Sequence, residues 1–173
     1  MKKRGFRLAL LQLLLFFLVL PVFAQDDIRG APECKYCGMY RRAFNHSRML
    51  LERAGDGPVG TCSLNCTAVD YMRNLDSLPT AIKVADYGTK KLIDAEAAYW
   101  VIGGNKQGVM TARAKWAFKR QSDARAFIKK HGGEPATFEE AIKASYEDLY
   151  KDMELTNRHR FLHHADARAH LPD

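Results

Sequence analysis

Nowhere in the chain is there a block of lysine and arginine interleaved with aromatic residues. That removes the electrostatic footprint expected of a nucleic-acid-binding protein. Long apolar runs are also missing. The longest, Leu8 to Leu20, is broken by Gln12 and is too short to be read first as a membrane span. Cysteine is scarce, with four in 173 residues. All four fall in two short stretches, ECKYCGMY at 33–40 and TCSLNCTA at 61–68.

What the N-terminus does carry is a basic head (Lys2, Lys3, Arg4, Arg7), the apolar run, and Val22-Phe23-Ala24 ahead of Gln25. This pattern predicts a secretory signal over residues 1–24, cleaved after Ala24, and an exported, periplasmic protein with no membrane span after cleavage. Because no cysteine stands at the cleavage point, no lipid anchor is expected there. The signal contains four positive charges and no acids, so its removal lowers the formal charge from +7 to +3. Most of the basicity is the signal's. The remainder suits one compact domain or two very small ones, long enough to bury a core without compulsory disulfides.

The mature chain opens with a polar leader at 25–33. MYRRAF (39–44) and SRMLLER (47–53) read as two strands around a turn at Asn45-His46. DGPVG (56–60) is turn chemistry leading to a short strand that ends near Cys62. Ser63 is the expected N-cap of a helix over about 64–76, with Ala68, Val69, Met72 and Leu75 at helical spacing. TAIKVADY (80–87) follows as a strand. AAYWVIGG (97–104) and RAKWAFKR (113–120) begin a second course of the same kind. In the latter, Ala114, Trp116 and Phe118 share one face and mostly basic residues the other. Ser122 then caps a helix to about His131, stopped by Gly132-Gly133, and EPATFEE is extended.

Element order therefore predicts an α+β fold of two small β-β-α-β units in tandem, at about 34–88 and 89–135. Sequence identity between the halves is negligible. Thr137 to Glu140 matches a capping box opening a C-terminal amphipathic helix over 136–156, with Phe138, Ile142, Tyr146, Leu149 and Met153 as its apolar stripe. A histidine-rich tail (157–173) ends the chain. His159 and His163 would share a face if helical, with His164 and His170 nearby.

The two cysteine pairs carry the chemistry. Cys34-x-x-Cys37 followed by Gly38 is a knuckle that can turn both sulfurs, and backbone amides, toward one point. Cys62 ends a strand and Cys66 lies in the first turn of the next helix, whose N-terminal dipole favours thiolate. Three readings stay open on spacing alone. One is a structural zinc site of four thiolates. Another is disulfide formation, which suits an oxidising compartment. The third is a soft-metal site, because Met39 adds a thioether and thioether with thiolate selects cuprous copper.

The residues CKYCGM, the two strands and helix after them, and AIKVADY resemble the accessory proteins of nitrous oxide reductase, the NosL family. AAYWVIGGNKQGVM and KWAFKRQSDARAFIKKHGG continue the resemblance over about residues 34–135. It implies an exported copper(I)-binding protein that delivers copper to a client copper protein. It also implies paired β-β-α-β units, likened as well to organomercurial lyases. Cys37 and Met39 occupy the family's Cys-Gly-Met, Met110 its later methionine, and His131 the His-Gly-Gly position. This chain departs from the pattern in four respects. It lacks a lipoprotein cysteine, has Met110-Thr111 where Met-Gly is usual, adds Cys62 and Cys66, and extends its C-terminus. The expected metal ligands are therefore Cys34, Cys37, Met39, Cys62, Cys66 and Met110.

The expectation is a metal carrier rather than an enzyme, with a zinc-bound interaction module as the alternative. A dithiol oxidoreductase is disfavoured because Cys34-x-x-Cys37 does not begin a helix after a first strand. Organomercurial cleavage would need an acid beside two thiols. Asp56, Asp70 and Asp86 are available, and their spacing selects none of them.

Overall fold

A computed structural model describes residues 26–55 and 57–169. The expected signal, Asp56 and His170 lie outside the described residues, as do the side chains of His159, His163 and His164. No described helix is long and apolar enough to cross a membrane.

The fold is α+β. In chain order it comprises α1 (Asp26–Gly30), β1 (Met49–Glu52), β2 (Val59–Thr61), α2 (Leu64–Arg73), β3 (Ala81–Ala85) and β4 (Leu92–Asp94). Then follow β5 (Tyr99–Ile102), β6 (Lys115–Phe118), α3 (Gln121–His131), β7 (Glu134–Ala136) and α4 (Phe138–Ala169). The first sheet has the order β2-β1-β3-β4 and the second β6-β5-β7, antiparallel throughout. Each half thus places its first strand between its second and third, with a helix between the second and third. The β-β-α-β order occurs twice with one topology. β4 is an addition to the first sheet.

The two sheets are joined by a parallel bridge between Asp86 and Ala117, where the Tyr87 amide donates to the Ala117 carbonyl at 2.8 Å. Successive residues of β5 and β6 face opposite cores, as the two-residue period of a strand requires. Trp100 and Ala117 join Met49, Leu51, Val84 and Phe138 in one core. Val101, Trp116 and Phe118 join Phe127 and three of the cysteines in the other.

Several expectations change. Residues 39–44 do not form a strand. Tyr40 makes a single bridge to Glu33, and the chain then turns through 41–47. The reason is Arg41, which is fully buried and must find five acceptors. It donates to the carbonyls of Asp27, Ala31, Thr61 and Met49 and to the Asp27 carboxylate. Arg48 grips the same carboxylate with two bonds, at 2.9 and 3.0 Å. The leader's Asp27 therefore ties α1 to the start of β1.

The apolar stripe of α4 is also displaced. The buried positions are Phe138, Ala141, Ala144, Ser145 and Asp148, whereas Met153 is exposed. Small residues let α4 approach α2 and β5 closely, and the larger expected residues flank that seam. The capping box is formed as written: the Thr137 amide donates to Glu140 and the Glu140 amide to Thr137 Oγ1. α4 continues to Ala169. Lastly, Lys115, expected on a basic outer face of β6, is buried. Ser63 starts α2 as expected, but Arg120 rather than Ser122 starts α3, neither makes a side-chain cap bond, and α2 stops at Arg73 rather than near 76.

Candidate metal centre

The knuckle is built from backbone bonds. The Cys34 amide donates to the Met39 carbonyl and the Gly38 amide to the Cys34 carbonyl, both at 2.9 Å. Gly38 has φ +71°, a left-handed conformation in which a side chain would be strained. The Lys35 amide donates to Gly60 at 3.1 Å, which sets the knuckle beside β2.

A second attachment runs through side chains. Cys66 and Asp70 are four apart and share a face of α2. Asp70, fully buried, accepts from the Tyr36 hydroxyl and from Arg53. Tyr36 is one of the two residues between Cys34 and Cys37, so this bond docks the knuckle on the face of α2 that carries Cys66. Burial and the Asp70 bond push the Tyr36 pKa up to about 12, so its proton stays on and the bond persists.

All four cysteines are free thiols, and their sulfurs lie within 4.8 Å of one another. Cys37 and Cys62 are 3.5 Å apart, Cys62 and Cys66 3.7 Å. Four sulfurs around one ion at about 2.3 Å each would be separated by about 3.8 Å, so the set fits a single centre. Cys34, Cys62 and Cys66 are buried among Val101, Val109, Trp116, Phe118 and Phe127, and Cys37 is half-buried.

The electrostatics favour one thiolate even without a metal. Sulfur hydrogen bonds from Cys62 and Cys66 hold the Cys34 pKa far below the ordinary thiol value, helped by the Cys37 and Tyr36 amides and opposed by burial. That thiolate in turn raises the pKa of Cys62 and of Cys66, with burial adding to both. α2 contributes its dipole, with Cys66 as its third residue. Ser63, at the N-cap, accepts from Cys62 at 3.9 Å and leaves the helix amides uncapped by its side chain.

Of the six expected ligands, the four cysteines come together. Met39 packs against the same core. Met110 stands apart from it in exposure: its side chain is 46% exposed. Its carbonyl accepts from Asn65, the neighbour of Cys66, at 2.6 Å, and Val109 packs with the cysteines. His131 is engaged structurally, Nδ1 lying 3.2 Å from Asn105 Oδ1 and the ring 4.8 Å from that of Phe127. Asp70 is taken by Tyr36 and Arg53. Asp86 accepts from the amides of Thr89 and Lys119 and holds a turn. Neither acid is free to serve the thiols.

Two features escaped the sequence. Tyr36 and Asp70 are 34 residues apart and no local pattern links them, although an acid four residues after Cys66 was a usable signal. His46, whose ring is 5.4 Å from Trp116 and 5.8 Å from Tyr87, stacks beside this core. Burial, then the charge of Lys90, lowers its pKa and keeps it neutral.

The sequence model of the NosL family matches residues 25–146. Among solved structures, the copper chaperone NosL from Shewanella denitrificans is similar in fold, with a TM-score of 0.51 and 22% identity, over 64% of this chain and 89% of that one. No curated protein matches. The family match covers well over half of the chain, which therefore belongs to the NosL family.

Proposed function

From this membership, we propose that the chain is an exported carrier of cuprous copper that passes its cargo to a client copper protein, without catalysis of its own. The observation that carries the reading is the convergence of four free thiols, within 4.8 Å, in an apolar core. The Shewanella relative is a copper chaperone, and its fold is shared.

Copper is cargo here, and the chain's own groups hold and release it. Cys34 supplies a thiolate before the ion arrives, and Cys62 and Cys66 lose protons as it binds. The apolar surroundings exclude water, and the α2 amides offset the negative charge of the loaded site. Cys37 and Met39 form the more open side of the centre. An incoming ligand from a client reaches Cys37 first, because the other three sulfurs are buried. Exchange there moves copper without freeing it, and Met110 offers a thioether outside the core.

A structural zinc centre is the second reading, favoured by four thiols within 4.8 Å of one another. Metal content separates them. Protein purified anaerobically from copper-supplemented periplasm should hold about one copper per chain. A cuprous chelator should remove it while the circular dichroism stays that of a folded protein. Zinc held without copper, and unfolding when it is stripped, would overturn the carrier reading.

A further inference from the structure

Cys37 and Cys62 face each other from two segments that are each held in place. On one side, the Lys35 amide bonds to Gly60 and the Tyr36 hydroxyl to Asp70. These bonds dock the knuckle that carries Cys37 against β2 and α2. On the other side, Cys62 joins β2 to α2 with no exposed surface, and Ser47 Oγ donates to its carbonyl at 2.8 Å. The two sulfurs meet at 3.5 Å. Cysteines can be bridged only where the backbone already brings them together, and here it does.

The four thiols differ in access. Cys34, Cys62 and Cys66 are buried, and Cys37 is half-buried. The Cys34 sulfur is turned to Cys62 and Cys66. Cys66 lies 3.7 Å from Cys62, inside the first turn of α2. A reagent arriving from solvent therefore meets Cys37 first, and the sulfur in contact behind it is Cys62. A reachable thiol backed by a second thiol is the arrangement found in cysteines that respond to oxidation.

We propose that Cys37 and Cys62 form a redox pair that a small disulfide oxidises, and that the resulting bridge empties the metal centre. The proposal rests on the copper-carrier reading. The Cys37 thiolate attacks one sulfur of the disulfide, making a mixed disulfide and expelling the other half as a thiolate. The Cys62 thiolate then attacks the Cys37 sulfur. The Cys37–Cys62 bond forms and the second half leaves. The small disulfide gains two electrons, and its two halves take up the two protons that the cysteines gave up. Copper stays cuprous. Cys34 and Cys66 remain as thiols, too few to hold the ion as the set of four does. Bound copper in turn occupies both sulfurs of the pair and shields them from the disulfide. Cargo and bridge exclude each other, and a dithiol reverses the oxidation.

The test uses the full mature chain, reduced and metal-free under anaerobic conditions, with glutathione disulfide as the oxidant. Titratable thiols should fall by half from the chain's four. Trypsin cuts after Lys35, Arg41, Arg53 and Arg73, so Cys34 and Cys37 fall in different peptides. The bridge should link YCGMYR to the peptide 54–73. Cys66→Ser should close as the parent does, and Cys62→Ser should stop at a glutathione adduct on Cys37. The oxidised chain should bind Cu(I) at least about a hundredfold more weakly in competition with bathocuproine disulfonate, and dithiothreitol should restore binding. Cu(I) loaded beforehand should slow the loss of thiols about tenfold.

A bridge joining the peptide 30–35 to YCGMYR, or a bridge formed in Cys62→Ser, would overturn the pair and leave the carrier intact. Equal Cu(I) affinity in the oxidised and reduced chains would overturn the exclusion of cargo by the bridge. If Cys62→Ser fails to fold, fragmentation of the linked parental peptides decides between Cys62 and Cys66. Failure of the reduced parent to bind Cu(I) would overturn the carrier reading, and the proposal with it, whatever the peptides show.

Discussion

The two halves of the molecule place the same strand order around a helix, and apart from β4 they differ most at the strand-to-helix junction. In the first half β2 is followed by Cys62, the N-cap Ser63, and Cys66 as the third residue of α2. In the second, β6 is followed by Lys119, the N-cap Arg120, and Asp123 as the third residue of α3. Asp123 accepts from Arg120 at 2.8 Å and closes on itself. Both junctions use a helix start to favour an anion. Across from the first lies the 34–38 knuckle, docked by Tyr36 on Asp70, whereas across from the second lies the turn at Asp86, whose carboxylate accepts from the Lys119 amide at 2.8 Å. The difference teaches that the topology supplies a place for a negative group, and that the docked knuckle turns one such place into a cluster of four thiols.

The comparison can be broken most severely at Asp27. Asp27→Asn leaves two buried guanidinium groups against a neutral amide. It should destabilise the protein by about 3–5 kcal/mol, read from urea unfolding, and copper binding should weaken with the first half. The same carboxylate predicts an acid limit. Burial raises its pKa, but Arg48 and Arg41 outweigh that and hold it below its ordinary value of 3.8. A depressed folded pKa adds stability that is full above the unfolded value and lost as pH falls through the folded one. The melting temperature should therefore hold above about pH 5 and drop below about pH 4, less steeply in Asp27→Asn.

Next in size is Cys37→Ser. Losing one of four soft ligands should lower Cu(I) affinity by about a hundredfold or more, and Met39→Leu should cost less, both measured against a cuprous chelator. Asp123→Ser at the junction of the second half should leave affinity unchanged. A normal affinity in Cys37→Ser would remove the proposed centre. Tyr36→Phe should weaken binding about tenfold, as outer-shell partners do, because the knuckle loses its hold on α2. If it binds like the parent, Gly60 and the backbone suffice to dock the knuckle. The smallest expected effect is none at all. Lys119→Cys with Asp123→Cys copies the Cys62/Cys66 spacing into the second half. Copper per chain should stay as it was, since no knuckle faces that junction. An added equivalent would show that two thiols at a helix start are enough.

Much of this was legible in the sequence wherever the signal is local. The knuckle, the helix start at Ser63 and the Thr137–Glu140 box are set by neighbours within four residues, and each is formed. The repeated element order could be read because hydrophobic period and glycine turns are also local. What failed was decided by distant partners. Arg41 looks like a strand residue until Asp27 and four carbonyls claim its guanidinium. Lys115 reads as an outward base until Asp148 is brought to it from 33 residues away. The face of α4 was misjudged because volume suggested Ile142 and Leu149, whereas close packing against α2 selected alanine and serine.

The alternation of β5 and β6 has an optical consequence. It sends the protein's two tryptophans into different cores: Trp116 beside the cysteines, its Nε1 buried without a hydrogen-bond partner among the described residues, and Trp100 behind the sheet, its Nε1 donating to Ala95 at 2.8 Å. An ion entering the sulfur cluster would change the surroundings of one indole and leave those of the other as they were. The protein therefore carries both a built-in reporter and its reference, and the emission of Trp100→Phe and Trp116→Phe would follow cargo loading without any label.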